Sequence, residues 1–309
     1  MNNNLSNIKK ALKYLNKNEC IGIPTETVYG LAANAYSDKA TDKIFKLKKR
    51  SRKNPLIVHY YNLKDLKNDC KIDNQFLHLY SKFCPGPITF VLELKEKSKI
   101  SNNVTNSKNT IAVRFPKHKV ARKLLKNLNF PLAAPSANIS KRISAVCKTD
   151  VIEEFGKKIK FVLDGGESKE GLESTIVNLI GNQKILRLGS LDRSKIEKYL
   201  VKKKINQKKD IIMPGQGRIH YSPGLPVRLN IKRPKKFEAF LLISKRTKSN
   251  KNFFYLSKNK NLKEVAKNLY KTLRKVKKKG FKQISIEKIP NRGIGEAIND
   301  RLLRAAKKK

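Results

Sequence analysis

Acidic residues are scarce in this 309-residue chain: 24 Asp and Glu stand against 71 Lys and Arg, for a formal net charge of +47 at pH 7. Such an imbalance ordinarily points to nucleic acid, because clustered cations displace counterions from a phosphate backbone. Here, however, the lysines are spread along the whole chain among many Asn and Ile, a composition that AT-rich coding produces without a dedicated surface. A basic surface still attracts anionic ligands such as ATP and transiently holds RNA. Cysteine is also rare. Cys20, Cys70, Cys84 and Cys147 lie far apart, with no C-x-x-C pair and no His at zinc-finger spacing, which excludes a disulfide framework and a zinc module. No apolar run approaches the length that spans a bilayer. The first residues, Met1-Asn2-Asn3-Asn4-Leu5-Ser6, have neither the basic start nor the apolar stretch of a secretory signal, so a soluble cytoplasmic protein is expected.

What remains is a globular composition, 39% hydrophobic and 31% charged, in a chain long enough for two domains with cores of their own. Leu5, Ile8, Ala11, Leu12 and Leu15 recur at helical spacing and predict a first amphipathic helix. An apolar strand over 20–23 leads into Pro24-Thr25-Glu26-Thr27-Val28-Tyr29-Gly30-Leu31. Its hydroxyls and carboxylate would need partners inside a core, so the stretch fits the mouth of a pocket. An ordinary strand, turn, strand connection with Thr on a pleated edge fits the same residues.

A strand over 31–35 follows, and Asp38 is a plausible N-cap for a helix carrying Ile44, Phe45 and Leu47. That helix runs into Lys48-Lys49-Arg50-Ser51-Arg52-Lys53-Asn54-Pro55-Leu56, then the strand Ile57-Val58-His59. Basic residues at a helix end complement its dipole. An Arg among them can equally hold phosphate oxygens with its planar fork. Helical stretches at 63–66 and 76–83 precede Cys84-Pro85-Gly86-Pro87-Ile88-Thr89, a rigid turn feeding a strand.

Asn109-Thr110-Ile111-Ala112-Val113-Arg114-Phe115-Pro116 is an apolar strand ended by a lone Arg, which either reaches solvent or grips a carboxylate in a cleft. A helix over 118–128 leads to Pro131-Leu132-Ala133-Ala134-Pro135-Ser136-Ala137-Asn138-Ile139-Ser140, where small residues let a ligand approach the backbone or simply cap a loop. Phe161-Val162-Leu163 reads as a strand ending in Asp164-Gly165-Gly166, which lacks the Gly-Lys-Ser/Thr ending of a Walker A loop. Gly171-Leu172-Glu173-Ser174-Thr175-Ile176-Val177 and Ile185-Leu186-Arg187-Leu188-Gly189 come next, then a helix over 192–201. From Lys202-Lys203-Lys204 to Pro226 the density of Pro and Gly excludes helix and central strand, yet His220-Tyr221 sits inside it. Strands over 240–244, 253–256 and 283–287, alternating with helices over 262–276 and 294–306, predict a small parallel α/β domain.

The order of these segments resembles the YrdC-type family in its two-domain form. The likeness rests on the Thr-rich opening, K-x-R before N-P-L, P-G-P-x-T, Ser-Ala-Asn-x-Ser, D-G-G, G-x-E-S-T-I-V, L-R-x-G, the His-Tyr linker and a terminal G-x-G-x-A-I-x-D-R-L. It implies a YrdC-like twisted sheet flanked by helices with a concave basic cleft over 1–201, a linker or lid over 202–230, and a small Rossmann-like α/β domain over 231–309. It further implies an enzyme that condenses L-threonine, bicarbonate and ATP, with Mg2+, into an adenylate that donates to tRNA beside the anticodon. The expected partners are those substrates and, transiently, tRNA or the machinery that completes the transfer; no membrane is expected.

By the same resemblance, Lys48 and Arg50 face the triphosphate as the catalytic cations. Thr27, His59, Arg114, Ser136 and Ser174 bind L-threonine. Arg50, Asn54, Thr110, Asn138, Ser144, Arg187 and Tyr221 bind the nucleotide, and no metal ligand is expected. One loop departs from the pattern: where relatives read S-G-x-P-S-P-T, this chain has Ser140-Lys141-Arg142-Ile143-Ser144-Ala145-Val146, which puts the contacts of that loop, Ser144 included, in question. Two other readings stand beside the enzyme. One is a double-stranded RNA or tRNA-binding module of the same fold without chemistry. The other is a carbamoyl-transfer relative, whose C-x-x-C zinc motifs this chain lacks.

Overall fold

The computed structural model describes residues 2–201, 220–247 and 250–307. The linker residues 202–219 lie outside them. Eight strands form the larger sheet: β1 (Ile21–Ile23), β2 (Gly30–Asn34), β3 (Ile57–His59), β4 (Ile88–Glu93), β5 (Thr110–Arg114), β6 (Leu132–Ala133), β7 (Thr175–Asn178) and β8 (Lys184–Arg187), in the order β1-β2-β6-β3-β5-β4-β7-β8. A second sheet of four strands, β9 (Val227–Arg228), β10 (Ala239–Leu242), β11 (Phe253–Tyr255) and β12 (Ile284–Ile286), has the order β11-β10-β12-β9. Every pairing in this second sheet is parallel, although β9, β10 and β11 precede the first helix of the region, which enters between β11 and β12. β9 belongs to the stretch read as linker, and it pairs with β12.

Helices cover the larger sheet. They are α1 (Asn2–Asn16), α2 (Asp38–Lys48), α3 (Leu63–Asp69), α4 (Asn74–Phe83), α5 (Asn102–Thr105), α6 (Lys119–Lys126), α7 (Lys148–Phe155) and α8 (Arg193–Glu197); α9 (Leu262–Lys278) and α10 (Ile294–Ala306) serve the second. Among the described residues no helix is long and apolar enough to cross a membrane. The cap of α2 is Ser37, whose hydroxyl accepts from the Ala40 amide; Asp38 is instead the first helical residue, where its charge suits the dipole. The strand expected at Phe161-Val162-Leu163 reduces to one bridge, Gly22 with Val162, held by the Gly22 amide on the Phe161 carbonyl and the Leu163 amide on the Gly22 carbonyl. The helix expected over 192–201 keeps only Arg193–Glu197.

Strand alternation decides which residues can share a site. Residues directly opposite in a sheet point to the same face. One transverse row runs His59, Arg114, Thr89, Ile176, Arg187 across β3, β5, β4, β7 and β8. The opposite face carries Val58, Val113, Phe90 and Val177, which join the main hydrophobic core under the helices. On the row's own face Ile57, Ala112, Val91 and Ile176 make a small apolar floor. One face is therefore core, and the other carries the polar groups of this row beside the apolar floor, with Thr110 and Glu93 further along the strands.

Candidate active site

His59, Arg114 and Arg187 of this row line a cavity of about 540 Å³ including its open mouth, walled also by Thr25, Thr27, Arg50 and Ser136 and roofed by Glu173, His220 and Tyr221. Apolar Val28, Ile57 and Ala134 stand in its lining beside a few convergent polar groups, the usual composition of a ligand site. Three guanidinium groups, Arg50, Arg114 and Arg187, face it against one carboxylate, Glu173, which is itself paired with Arg301. An anion is the ligand such a lining favours.

Each group is held from behind. Arg114 donates from Nη2 to Glu26 Oε1 (2.7 Å) and from Nη1 to Thr27 Oγ1 (2.8 Å), so the Thr-rich opening fixes the end of β5. Thr25 Oγ1 in turn lies 2.9 Å from Thr27 Oγ1 and donates to the Val28 carbonyl at 2.6 Å. Tyr29 donates to the Gly166 carbonyl (2.8 Å), tying the Asp164-Gly165-Gly166 turn to the same loop. Thr89 and Ser174 share a 2.8 Å hydroxyl contact, and Arg187 donates from Nη2 to the Ser174 carbonyl at 2.8 Å. The close approach of β8's end to Ser174 requires Gly189, where a Cβ would stand 2.3 Å from the Thr175 amide nitrogen. Arg50 spans from its helix end to the Asn54 (3.1 Å) and Pro55 (2.9 Å) carbonyls.

Burial shapes the ionisation. Burial, and then the neighbouring Arg114 charge, hold His59 neutral, well below its ordinary range. Burial and Arg187 press Arg50 down to about 10. For Glu173, burial alone would raise the pKa; the charges of Arg301 and Arg187 and a hydrogen bond from Ser144 outweigh it and hold the carboxyl at about 2. Burial lowers His220 to about 3. Two buried nitrogens on the row, His59 Nδ1 and Arg114 Nε, have no partner among the described residues. Unpaired buried polar atoms are costly, and these two belong to side chains of the cavity wall.

A family profile described as "Telomere recombination", covering Sua5, YciO and YrdC proteins, matches residues 13–189, and one described as "Threonylcarbamoyl-AMP synthase, C-terminal domain" matches residues 191–307. The chain belongs to the Sua5/YciO/YrdC family. It is 34% identical to the threonylcarbamoyl-AMP synthase of Pyrococcus abyssi over 97% of this chain and 94% of that one. To the threonylcarbamoyl-AMP synthase of Bacillus subtilis it is 31% identical, over 97% and 92%. Among solved structures it is similar to P. abyssi Sua5 complexed with L-threonine, with a TM-score of 0.87, 32% identity and coverage of 97% and 94%.

In this Sua5/YciO/YrdC chain the residues expected at the site fall into two groups. Thr27, Arg50, His59, Arg114, Ser136, Ser174, Arg187 and Tyr221 all line the cavity. Lys48, Asn54, Thr110, Asn138 and Ser144 do not. Lys48, 1% exposed, turns its amine to the Ser136 and Asn138 carbonyls, both at 2.5 Å, and so clamps the Ser-Ala-Asn loop from beneath. Asn138 accepts from Ser136 Oγ (2.6 Å) and donates to the Ile139 and Arg142 carbonyls, which folds the altered loop back on itself. Ser144 is fully buried and donates to Glu173 Oε1 (2.6 Å). Asn54 precedes β3, and Thr110 opens β5 at the end opposite Arg114, about 13 Å along the strand.

The sequence reading passed over Glu173, His220, Thr25 and Tyr29 as site residues, although each lines the cavity. Glu173 had a signal: it is a carboxylate in a run of small and apolar residues beside Ser174.

Proposed function

We propose that this chain is a threonylcarbamoyl-AMP synthase, joining L-threonine, bicarbonate and ATP into threonylcarbamoyl-AMP and pyrophosphate. The single observation that carries the substrate assignment is the His59–Arg114 pair. These residues stand opposite each other in register, each with a buried nitrogen that has no partner, in a wall rich in guanidinium. The threonine carboxylate suits the Arg114 guanidinium, with Thr27, His59, Ser136 and Ser174 around the remainder of the amino acid. The chain's membership of its family and the names of relatives matching it nearly end to end agree with this reading.

The nucleotide then extends from Arg50, Arg187 and Tyr221 toward Asn54 and Thr110, which both lie at the N-terminal ends of the parallel strands β3 and β5, away from His59 and Arg114. Asn138 and Ser144 act from behind the wall, shaping the loop and the roof. No group of three or more His, Cys, Asp or Glu able to hold a metal is present among the described residues. Mg2+ therefore suits the role of a companion to the ATP phosphates, where it neutralises charge on the transferred group.

The threonine amine takes up carbon dioxide derived from bicarbonate and releases a proton, giving a carbamate. A carbamate oxygen attacks the α-phosphorus of ATP as the bond to pyrophosphate breaks. No protein nucleophile is needed. Arg50 and Arg187 stabilise the charge that develops on the phosphoryl oxygens, in a site already ordered by its own hydrogen bonds. The division into a catalytic unit over 1–201, a linker over 202–230 and a C-terminal unit over 231–309, a cytoplasmic location, and passage of the adenylate to the tRNA-modifying machinery across a basic surface belong to the same proposal. Incubation with ATP, Mg2+, bicarbonate and L-threonine tests it: pyrophosphate release should require threonine. Folded protein that releases none would remove the proposal.

A further inference from the structure

Arg301 lies on α10, fully buried, and sends its guanidinium out of the second unit into the first. Nε donates to Glu173 Oε2 at 2.9 Å, Nη2 to the Leu188 carbonyl at 2.6 Å and Nη1 to Asp300 Oδ2 at 2.6 Å. The guanidinium carbon stands 4.7 Å from the centre of the Tyr221 ring, within cation–π range. That ring also stacks on Tyr270 at 6.1 Å and 14°. Tyr270 donates in turn to both carboxylate oxygens of Glu173 at 3.2 Å. Arg301 itself lines no part of the cavity, yet its contacts outside α10 end on a lining residue or on the neighbour of one. Glu173 and Tyr221 line it, and Leu188 follows Arg187.

Tyr221 has φ +64, the left-handed region that a bulky side chain enters only when its surroundings impose it. Arg301 and Tyr270 flank its ring, while the next residue, Ser222, ties the backbone by donating its amide to the Lys141 carbonyl and accepting from the Ile143 amide. We propose that Arg301 is a positioning residue: through it the C-terminal unit holds His220 and Tyr221 in their strained place over the cavity, without touching substrate. The nucleotide side of the claim rests on the function proposed above; the claim that the roof is held does not.

The chain has no tryptophan, so Tyr221→Trp installs a single indole whose exposure reads the roof directly. Arg301→Met alone would leave Glu173 buried without its cation. The informative comparison is therefore Arg301→Met/Glu173→Gln against Glu173→Gln, with Arg301→Lys beside them. In the Tyr221→Trp background, acrylamide quenching should rise severalfold in the paired variant and to a lesser degree in Arg301→Lys, which keeps the charge but not the reach to both Glu173 and Leu188. With Tyr221 restored, KM for ATP should rise about tenfold relative to Glu173→Gln while KM for threonine changes by less than about twofold. Quenching unchanged in a folded paired variant would overturn the proposal. So would equal rises in both KM values, or loss of folding in every Arg301 variant, since Arg301 would then be holding the fold rather than the roof. If the parent protein turns over no ATP, the function reading fails while the quenching comparison still decides the latch.

Discussion

Arg114 and Glu26 form a buried ion pair of 2.7 Å, with their side chains only 5% and 8% exposed. The carboxylate occupies one edge of the guanidinium, and Lys117 completes it by donating its amide to Glu26 Oε2 at 3.0 Å. Substrate therefore meets an arginine already turned and charged. Removing one member of such a pair leaves the other uncompensated, so Glu26→Ala should destabilise the protein by about 3–5 kcal/mol, whereas Glu26→Gln, which keeps an acceptor oxygen, should cost less. Urea denaturation of the two variants measures the difference. Equal, small losses would mean that the pair contributes no fixed geometry.

Arg114→Lys keeps the charge and loses the planar fork. Threonine KM should rise about 10- to 100-fold, the value of one or two charge-assisted hydrogen bonds, while ATP affinity stays close to wild type. Steady-state kinetics with each substrate varied separates the two. A rise confined to ATP would move the amino acid elsewhere.

Lys48 was expected at the triphosphate, but its amine holds loop carbonyls, and burial followed by the nearby Arg50 charge presses its pKa well below the ordinary lysine value. Lys48→Met should cost about 1–3 kcal/mol, because two carbonyls lose their donor while the expense of burying an ammonium disappears. Its kinetic effect should fall on threonine through the slackened Ser136 loop. An effect on ATP alone would show that the amine leaves the loop for the phosphates when nucleotide binds.

How much of this was readable beforehand depends on what each residue's role leaves in the chain. Strand Thr110–Arg114 announces itself by apolar residues closed by Arg, and the parallel C-terminal sheet by strands alternating with helices. Val227–Arg228 gave no such signal: two residues beside Pro226 become a strand only because β12 lies next to them. The short helices Asn102–Thr105 and Lys148–Phe155 are likewise set by tertiary packing rather than by a long periodic pattern. Side-chain direction was the other gap. Lys48 shares the buried stripe of α2 with Thr41, Ile44 and Phe45, and Arg301 shares that of α10 with Ile294, Ile298 and Leu302. A cation on an apolar helical stripe signals a buried partner. The partners, Ser136 and Glu173, lie far away in sequence and are visible only in the fold.

Three histidines, His59, His118 and His220, have pKa values lowered chiefly by burial, to about 3 for His220. The unfolded chain takes up their protons as pH falls below about 6.5, and the folded protein does not. Stability should therefore drop as pH goes from 7.5 to 5.0, a window above that in which Glu173, held at about 2, begins to contribute its own loss. His220→Asn should reduce the drop. Urea midpoints at the two pH values give the comparison, and a midpoint that rises on acidification would contradict the assignment.

Threonine's amine carries bicarbonate carbon onto AMP in the reaction proposed above. Incubation with ATP, Mg2+, L-threonine and carbon-13 bicarbonate, followed by mass spectrometry of the adenylate, tests it most directly. An adenylate should form only with threonine and carry one labelled carbon, with pyrophosphate released in equal amount. Folded protein that makes no threonine-dependent adenylate, or makes one without the label, would contradict it.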